Sequence, residues 1–73
     1  MYAIKQQKVS GVRTVKKVNT INQAYDFMLS KTKKGINYEF SFDGNKSNKI
    51  NGIMLRIFDK YGSASIIYYT EKI

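Results

Sequence analysis

The side chains with the most reactive chemistry in this sequence are five carboxylates, and no histidine or cysteine accompanies them. The chain therefore lacks the commonest general base, thiol nucleophile and transition-metal ligands. Two carboxylates can hold Mg²⁺ for a nuclease, but no spacing here matches an acid or metal motif. We predict no catalytic residue, metal or cofactor, and we rank an enzyme last. The five are Asp26, Glu39, Asp43, Asp59 and Glu71.

The basic side chains are far more numerous. Thirteen Lys and Arg stand against five Asp and Glu, a formal charge of +8 on 73 residues. A small domain this basic repels itself, and an anionic partner relieves the repulsion. Eleven of the thirteen are lysine, and Asn and Ile are also frequent, a mixture that AT-rich codons produce. Codon bias explains the scarcity of acids less well, so the charge predicts a binding protein.

Most of the basic residues fall into three clusters along the chain, over 5–17, 31–34 and 46–60. Lysine suits phosphate contact without base recognition, so any nucleic-acid binding should have low sequence specificity. The cluster over 31–34 has a local explanation in the helix dipole, and a solvated surface is the alternative for each cluster. Tyr61 is the aromatic side chain that packing explains least. The candidate residues for binding nucleic acid or an acidic partner are Lys5, Lys8, Arg13, Lys16, Lys17, Lys46, Lys49, Arg56, Lys60 and Tyr61.

Two strands and a helix are predicted in the first half of the chain. Strands over 2–9 and 12–18 surround a Ser-Gly turn. Val12, Val15 and Val18 recur at a spacing of three, which fits a helix as well, but the β-branched content favours a strand. A capping box at Thr20 and Gln23 starts a helix over about 20–33.

Three more strands are predicted over 36–42, 50–59 and 63–71, joined by short connections. The order β-β-α-β-β-β predicts one α+β domain over 1–73, with a single helix packed on an antiparallel sheet and a C-terminal three-stranded meander. The helix should cover two apolar rows of this meander. They are Ile36, Tyr38, Phe40 and Phe42 in one strand and Ile53, Leu55 and Ile57 in the next.

One helix covers only one face of a sheet, so the other face keeps apolar side chains without an obvious cover. Met54, Phe58 and Tyr69 lie there around Arg56. Such a face can stack bases, or it can form a protein interface that includes a homodimer. The alternative is that the first hairpin folds over this face and makes it a second core.

Two functions from different classes follow. The first is a non-enzymatic module that binds nucleic acid or a nucleoprotein complex through a lysine-rich face. The alternative, based on size and composition alone, is a phage- or mobile-element-type inhibitor, comparable to anti-CRISPR proteins, that binds a host protein effector. No apolar run suits a signal peptide or a membrane span, and cysteine is absent. We therefore expect a cytoplasmic protein without membrane contact.

Overall fold

The computed structural model describes residues 1–44 and 50–73, and these form one helix and five strands. The order and the α+β class are those predicted from the sequence. The elements are β1 (Tyr2–Lys8), β2 (Gly11–Val18), α1 (Ile21–Leu29), β3 (Asn37–Gly44), β4 (Ile50–Phe58) and β5 (Ala64–Lys72).

All five strands belong to one antiparallel sheet in the order β2-β1-β5-β4-β3. The predicted C-terminal meander is confirmed. The alternative in which the first hairpin covers the second face of the sheet is wrong, because β1 pairs with β5 from Tyr2 to Gln7. That pairing satisfies the backbone groups of β5, which would otherwise form an open sheet edge. The hairpin therefore extends the sheet.

Helix α1 starts as predicted but ends earlier. The Thr20 hydroxyl accepts a hydrogen bond from the backbone N–H of Gln23, and the Gln23 side chain accepts one from the N–H of Asn19. At the other end the amides of Lys31 and Thr32 bond to carbonyls three residues back, which closes the last turn. The lysines over 31–34 thus lie beyond the helix. Within the described ranges, no helix has the length and apolarity needed to cross a bilayer.

The core lies between α1 and one face of the sheet, where the helix packs on β4, β1 and β2. Leu55 and Met28 are fully buried at its centre. The row predicted on β4 is confirmed as core. The buried cluster consists of Ile4, Val18, Ala24, Met28, Ile53, Leu55, Ile57 and Tyr68.

The aromatic row on β3 is only partly in the core, contrary to expectation. Phe40 packs against the core, with its ring centroid 4.9 Å from that of Tyr25. Tyr38 and Phe42 are 45% and 55% exposed. The physical reason is that β3 is an edge strand while α1 lies over β1, β2 and β4, so the helix does not reach across it.

Candidate nucleic-acid interface

A groove runs along the β1–β2 hairpin; two of its three parts lie against α1, and the third is lined by hairpin residues alone. It consists of three adjoining cavities of about 540, 370 and 330 Å³, joined at Phe27 and at Gln6 with Arg13. Among the described residues that line it, Asp26 is the one carboxylate. The cations that line it are Lys8, Arg13, Lys16, Lys17 and Lys31.

A β-bulge in β2 brings two of these cations to the same side of the sheet. Side chains alternate between faces along a regular strand, so a spacing of three would place Arg13 and Lys16 on opposite faces. The pairing shifts, however: Lys16 lies opposite Ile4 and Thr14 lies opposite Lys5, which leaves Val15 as an extra residue. Arg13 then lies opposite Gln6, and both cations share the helix side.

Phe27 forms the aromatic wall between two of the cavities. The ammonium nitrogens of Lys16 and Lys31 lie 5.5 and 5.0 Å from the centroid of its ring. Both distances are within the range of cation–π attraction. The Phe27 ring packs edge-on near Tyr68, with 6.3 Å between the ring centroids. One aromatic ring thus holds two flexible lysine side chains at the groove.

A chain of two hydrogen bonds, one buried and one part-buried, holds the guanidinium of Arg13. Gln6 is a buried polar residue, 8% exposed. Its side-chain oxygen accepts a hydrogen bond of 3.2 Å from Arg13 Nε, and its Nε2 donates one of 2.8 Å to the hydroxyl of Tyr68. A charged group tied to a buried partner loses less freedom on binding than a free surface side chain.

The structure brings together only part of the set predicted from the sequence. Four predicted cations line the groove, and it gains Lys31, which lies just beyond the C-cap Ser30 of α1. Sequence analysis missed this residue together with Gln6, Phe27 and Tyr68. For Gln6 one signal was available, since a polar side chain interrupts the apolar alternation of β1 on the core side.

The remaining predicted cations lie elsewhere. Lys5 is on the opposite face of the sheet, where its ammonium donates to the Thr14 hydroxyl at 2.7 Å. Lys60 sits in the β4–β5 turn with its nitrogen 5.1 Å from the ring centroid of Tyr61, which is 81% exposed. Lys46 and Lys49 lie outside the described residues.

The face of the sheet opposite the helix, called here the open face, carries the predicted apolar set. Met54 and Tyr69 are directly paired on neighbouring strands, and with Ser41 they border a cavity of about 300 Å³. Phe58 is half-buried on the same face. Arg56 lies among them and forms a salt bridge with Glu39 and a hydrogen bond to Ser41. No described element of the chain covers this face.

The five carboxylates are the side chains of this chain that could hold a divalent metal ion. Within residues 1–44 and 50–73 no three acidic side chains converge. Asp59 accepts hydrogen bonds from the backbone N–H groups of Tyr61 and Ser63, which is a turn-stabilising role.

Comparison of the chain with protein-family models, curated proteins and solved structures finds no match.

Proposed function

We propose that the chain is a non-enzymatic binding module for nucleic acid, alone or within a nucleoprotein complex, and that the groove is its contact surface. The observation that carries the proposal is the concentration of five cations against one carboxylate along a single groove. Like charges that line one groove repel one another. The phosphates of a nucleic acid offset that repulsion and release condensed counterions, which favours binding.

The residue types in the groove support binding with low sequence specificity. Four of its five cations are lysines, which contact phosphate as point charges and carry no base-reading fork. The ring of Phe27 is already in contact with two ammonium groups, so it is not offered to a nucleobase for stacking. Phosphate contacts fix position and orientation but do not read sequence.

The salt dependence of binding to a labelled oligonucleotide tests the proposal. Fluorescence anisotropy across a salt series gives the slope of log K against log salt. If each groove cation neutralises one phosphate of a single strand, the slope should be about −3.5. Oligonucleotides of unrelated sequence should bind with similar affinity. An affinity that barely changes with salt, or no binding in low salt, would contradict the proposal.

A charge-matched pair of variants locates the contact surface. Arg13→Gln with Lys16→Gln removes two charges from the groove, whereas Lys5→Gln with Lys60→Gln removes two charges outside it. Both variants have the same net charge. At about 0.1 M salt the groove variant should lose roughly 20-fold in affinity and its slope should fall by about 1.4. The control should change by less than about twofold. Equal losses would mean that only net charge matters.

The open face favours a second candidate function, a phage- or mobile-element-type inhibitor that binds a host protein effector. Uncovered apolar side chains beside a cavity are typical of protein interfaces, and Met54 and Tyr69 offer such a surface. Co-elution of the chain with a host protein would favour this function over the first if it meets three conditions. The co-elution should survive nuclease treatment, be lost in Met54→Lys and persist in the groove variant. Loss of co-elution on nuclease treatment would favour nucleic-acid binding.

A further inference from the structure

The middle cavity of the groove has a volume of about 370 Å³, and its lining combines cationic, aromatic and buried polar residues. Gln6, Arg13, Phe27, Lys31 and Tyr68 contribute to its walls, and no carboxylate does. Gln6 and Tyr68 are 8% and 5% exposed, so they are part of the protein interior rather than of a solvated surface. Buried polar groups in a native protein are nearly always hydrogen-bonded, which makes their donors and acceptors worth counting.

The direction of the hydrogen bonds follows from chemistry. A guanidinium only donates, so the group that Arg13 Nε contacts must be the oxygen of the Gln6 amide. The NH₂ of Gln6 then faces Tyr68 and donates to its hydroxyl oxygen. The phenolic proton of Tyr68 is thereby left free to donate, and no acceptor for it is found among the described residues. This hydroxyl is a buried donor at the wall of the cavity.

Three kinds of donor therefore meet at this cavity. They are the hydroxyl of Tyr68, the remaining N–H groups of Arg13 and the ammonium of Lys31, which is held 5.0 Å from the centroid of the Phe27 ring. A cavity with two cations, a neutral donor and no carboxylate suits an oxyanion. Phosphate has several acceptor oxygens and accepts charge-assisted hydrogen bonds from arginine and lysine.

We infer that the middle cavity is a specific phosphate-binding site, formed by Arg13, Lys31 and Tyr68 and oriented by Gln6. The inference rests on the proposed function for the source of the phosphate, which is the backbone of a nucleic acid lying in the groove. A free phosphate is the other source with the same chemistry. The remaining groove cations attract the strand by charge, whereas this site holds one phosphate through directed hydrogen bonds.

Variants that keep the charge separate this site from general electrostatic attraction. Tyr68→Phe removes only the hydroxyl, and Tyr69→Phe is its control on the adjacent residue of the open face. Arg13→Lys keeps the charge and removes the guanidinium, and Arg56→Lys is its control on the same open face. Tyr68→Phe and Arg13→Lys should each weaken oligonucleotide binding about tenfold at fixed salt. Their salt slopes should stay nearly constant, and the controls should bind like the wild type.

Inorganic phosphate, added at constant ionic strength and followed by amide NMR shifts, distinguishes the two sources. Phosphate-induced shifts at Gln6, Arg13 and Tyr68 that are absent in Tyr68→Phe would support the site. They would do so even if no oligonucleotide binds and the proposed function fails. Unchanged oligonucleotide binding in both Tyr68→Phe and Arg13→Lys, with a loss in the double groove variant, would overturn the site and leave the proposed function standing. Thermal unfolding shows whether Tyr68→Phe is folded, and Arg13→Lys tests the site independently because Arg13 is exposed.

Discussion

The two faces of the sheet are formed by the same strands, but they differ in how their positively charged side chains are paired. On the open face Arg56 has a carboxylate partner in Glu39 and a hydroxyl partner in Ser41, and Lys5 has a hydroxyl partner in Thr14. On the helix side a groove is lined by five cations, with Asp26 as the one described carboxylate. Lys17 lines it from the edge strand β2, where it pairs with Ala3 of the opposite face. The open face resembles an ordinary half-apolar protein surface, and the groove has an excess of positive charge that attracts anions. Net charge by itself did not reveal this difference.

The largest effect expected from the comparison is on stability. Leu55 and Met54 are consecutive residues of β4, one fully buried under α1 and the other 36% exposed on the open face. Leu55→Ala removes core contacts and leaves a cavity, so it should lower the free energy of unfolding by about 3 kcal/mol. Met54→Ala should cost less than about 1 kcal/mol. Urea unfolding measures both.

Similar losses for Leu55→Ala and Met54→Ala would contradict the assignment of the two faces. They would mean that the open face is packed against something in solution, such as a second copy of the chain. Sedimentation at several concentrations would then show whether a dimer forms. A concentration-independent monomer with a low cost for Met54→Ala agrees with an uncovered face.

A smaller effect is expected from freeing the one paired cation on the open face. Glu39→Gln leaves Arg56 without its salt bridge, whose side chains are 38% and 55% exposed. Because exposed pairs contribute little, the free energy of unfolding should fall by less than about 1 kcal/mol. Oligonucleotide affinity should rise by less than about twofold, since the freed charge lies away from the groove. Anisotropy measurements that show a large gain would place the nucleic acid on the open face.

Most of the fold could be predicted from the sequence because local signals agree with it. Strict alternation on β3 and β4, a helix cap at Thr20 and short polar turns specify the elements and the C-terminal meander. The extent of the aromatic core could not be predicted. Whether Tyr38 and Phe42 are covered depends on which strands the helix crosses, and that depends on β1 inserting beside β5.

The ambiguous region of β2 shows what a spacing of three can mean. Val15 and Val18 contact the core although they are three residues apart, because Val15 is the extra residue of the bulge and does not follow the alternation of the strand. An apolar spacing of three among β-branched residues is thus consistent with a bulged strand as well as with a helix. The same bulge decides which cations face the groove.

The sequence predicts that the candidate site is positively charged, but it does not predict where in the structure the site lies. Clusters along the sequence grouped Lys5 with Arg13 and Lys16, but strand alternation and the bulge separate Lys5 from the other two. Lys31 joins them through Phe27, whose position relative to β2 is a tertiary fact. Such a site depends on contacts between residues far apart in the chain, which no local pattern contains.

The most direct test of the central claim is a map of backbone amide NMR shifts on adding a single-stranded oligonucleotide at low salt. Shifts should be concentrated at Arg13, Lys16 and Lys31, and the amides of Met54 and Tyr69 should stay unchanged. Shifts concentrated on Met54 and Tyr69, or spread evenly over both faces of the sheet, would contradict the claim that the groove is where the positive charge of this protein acts.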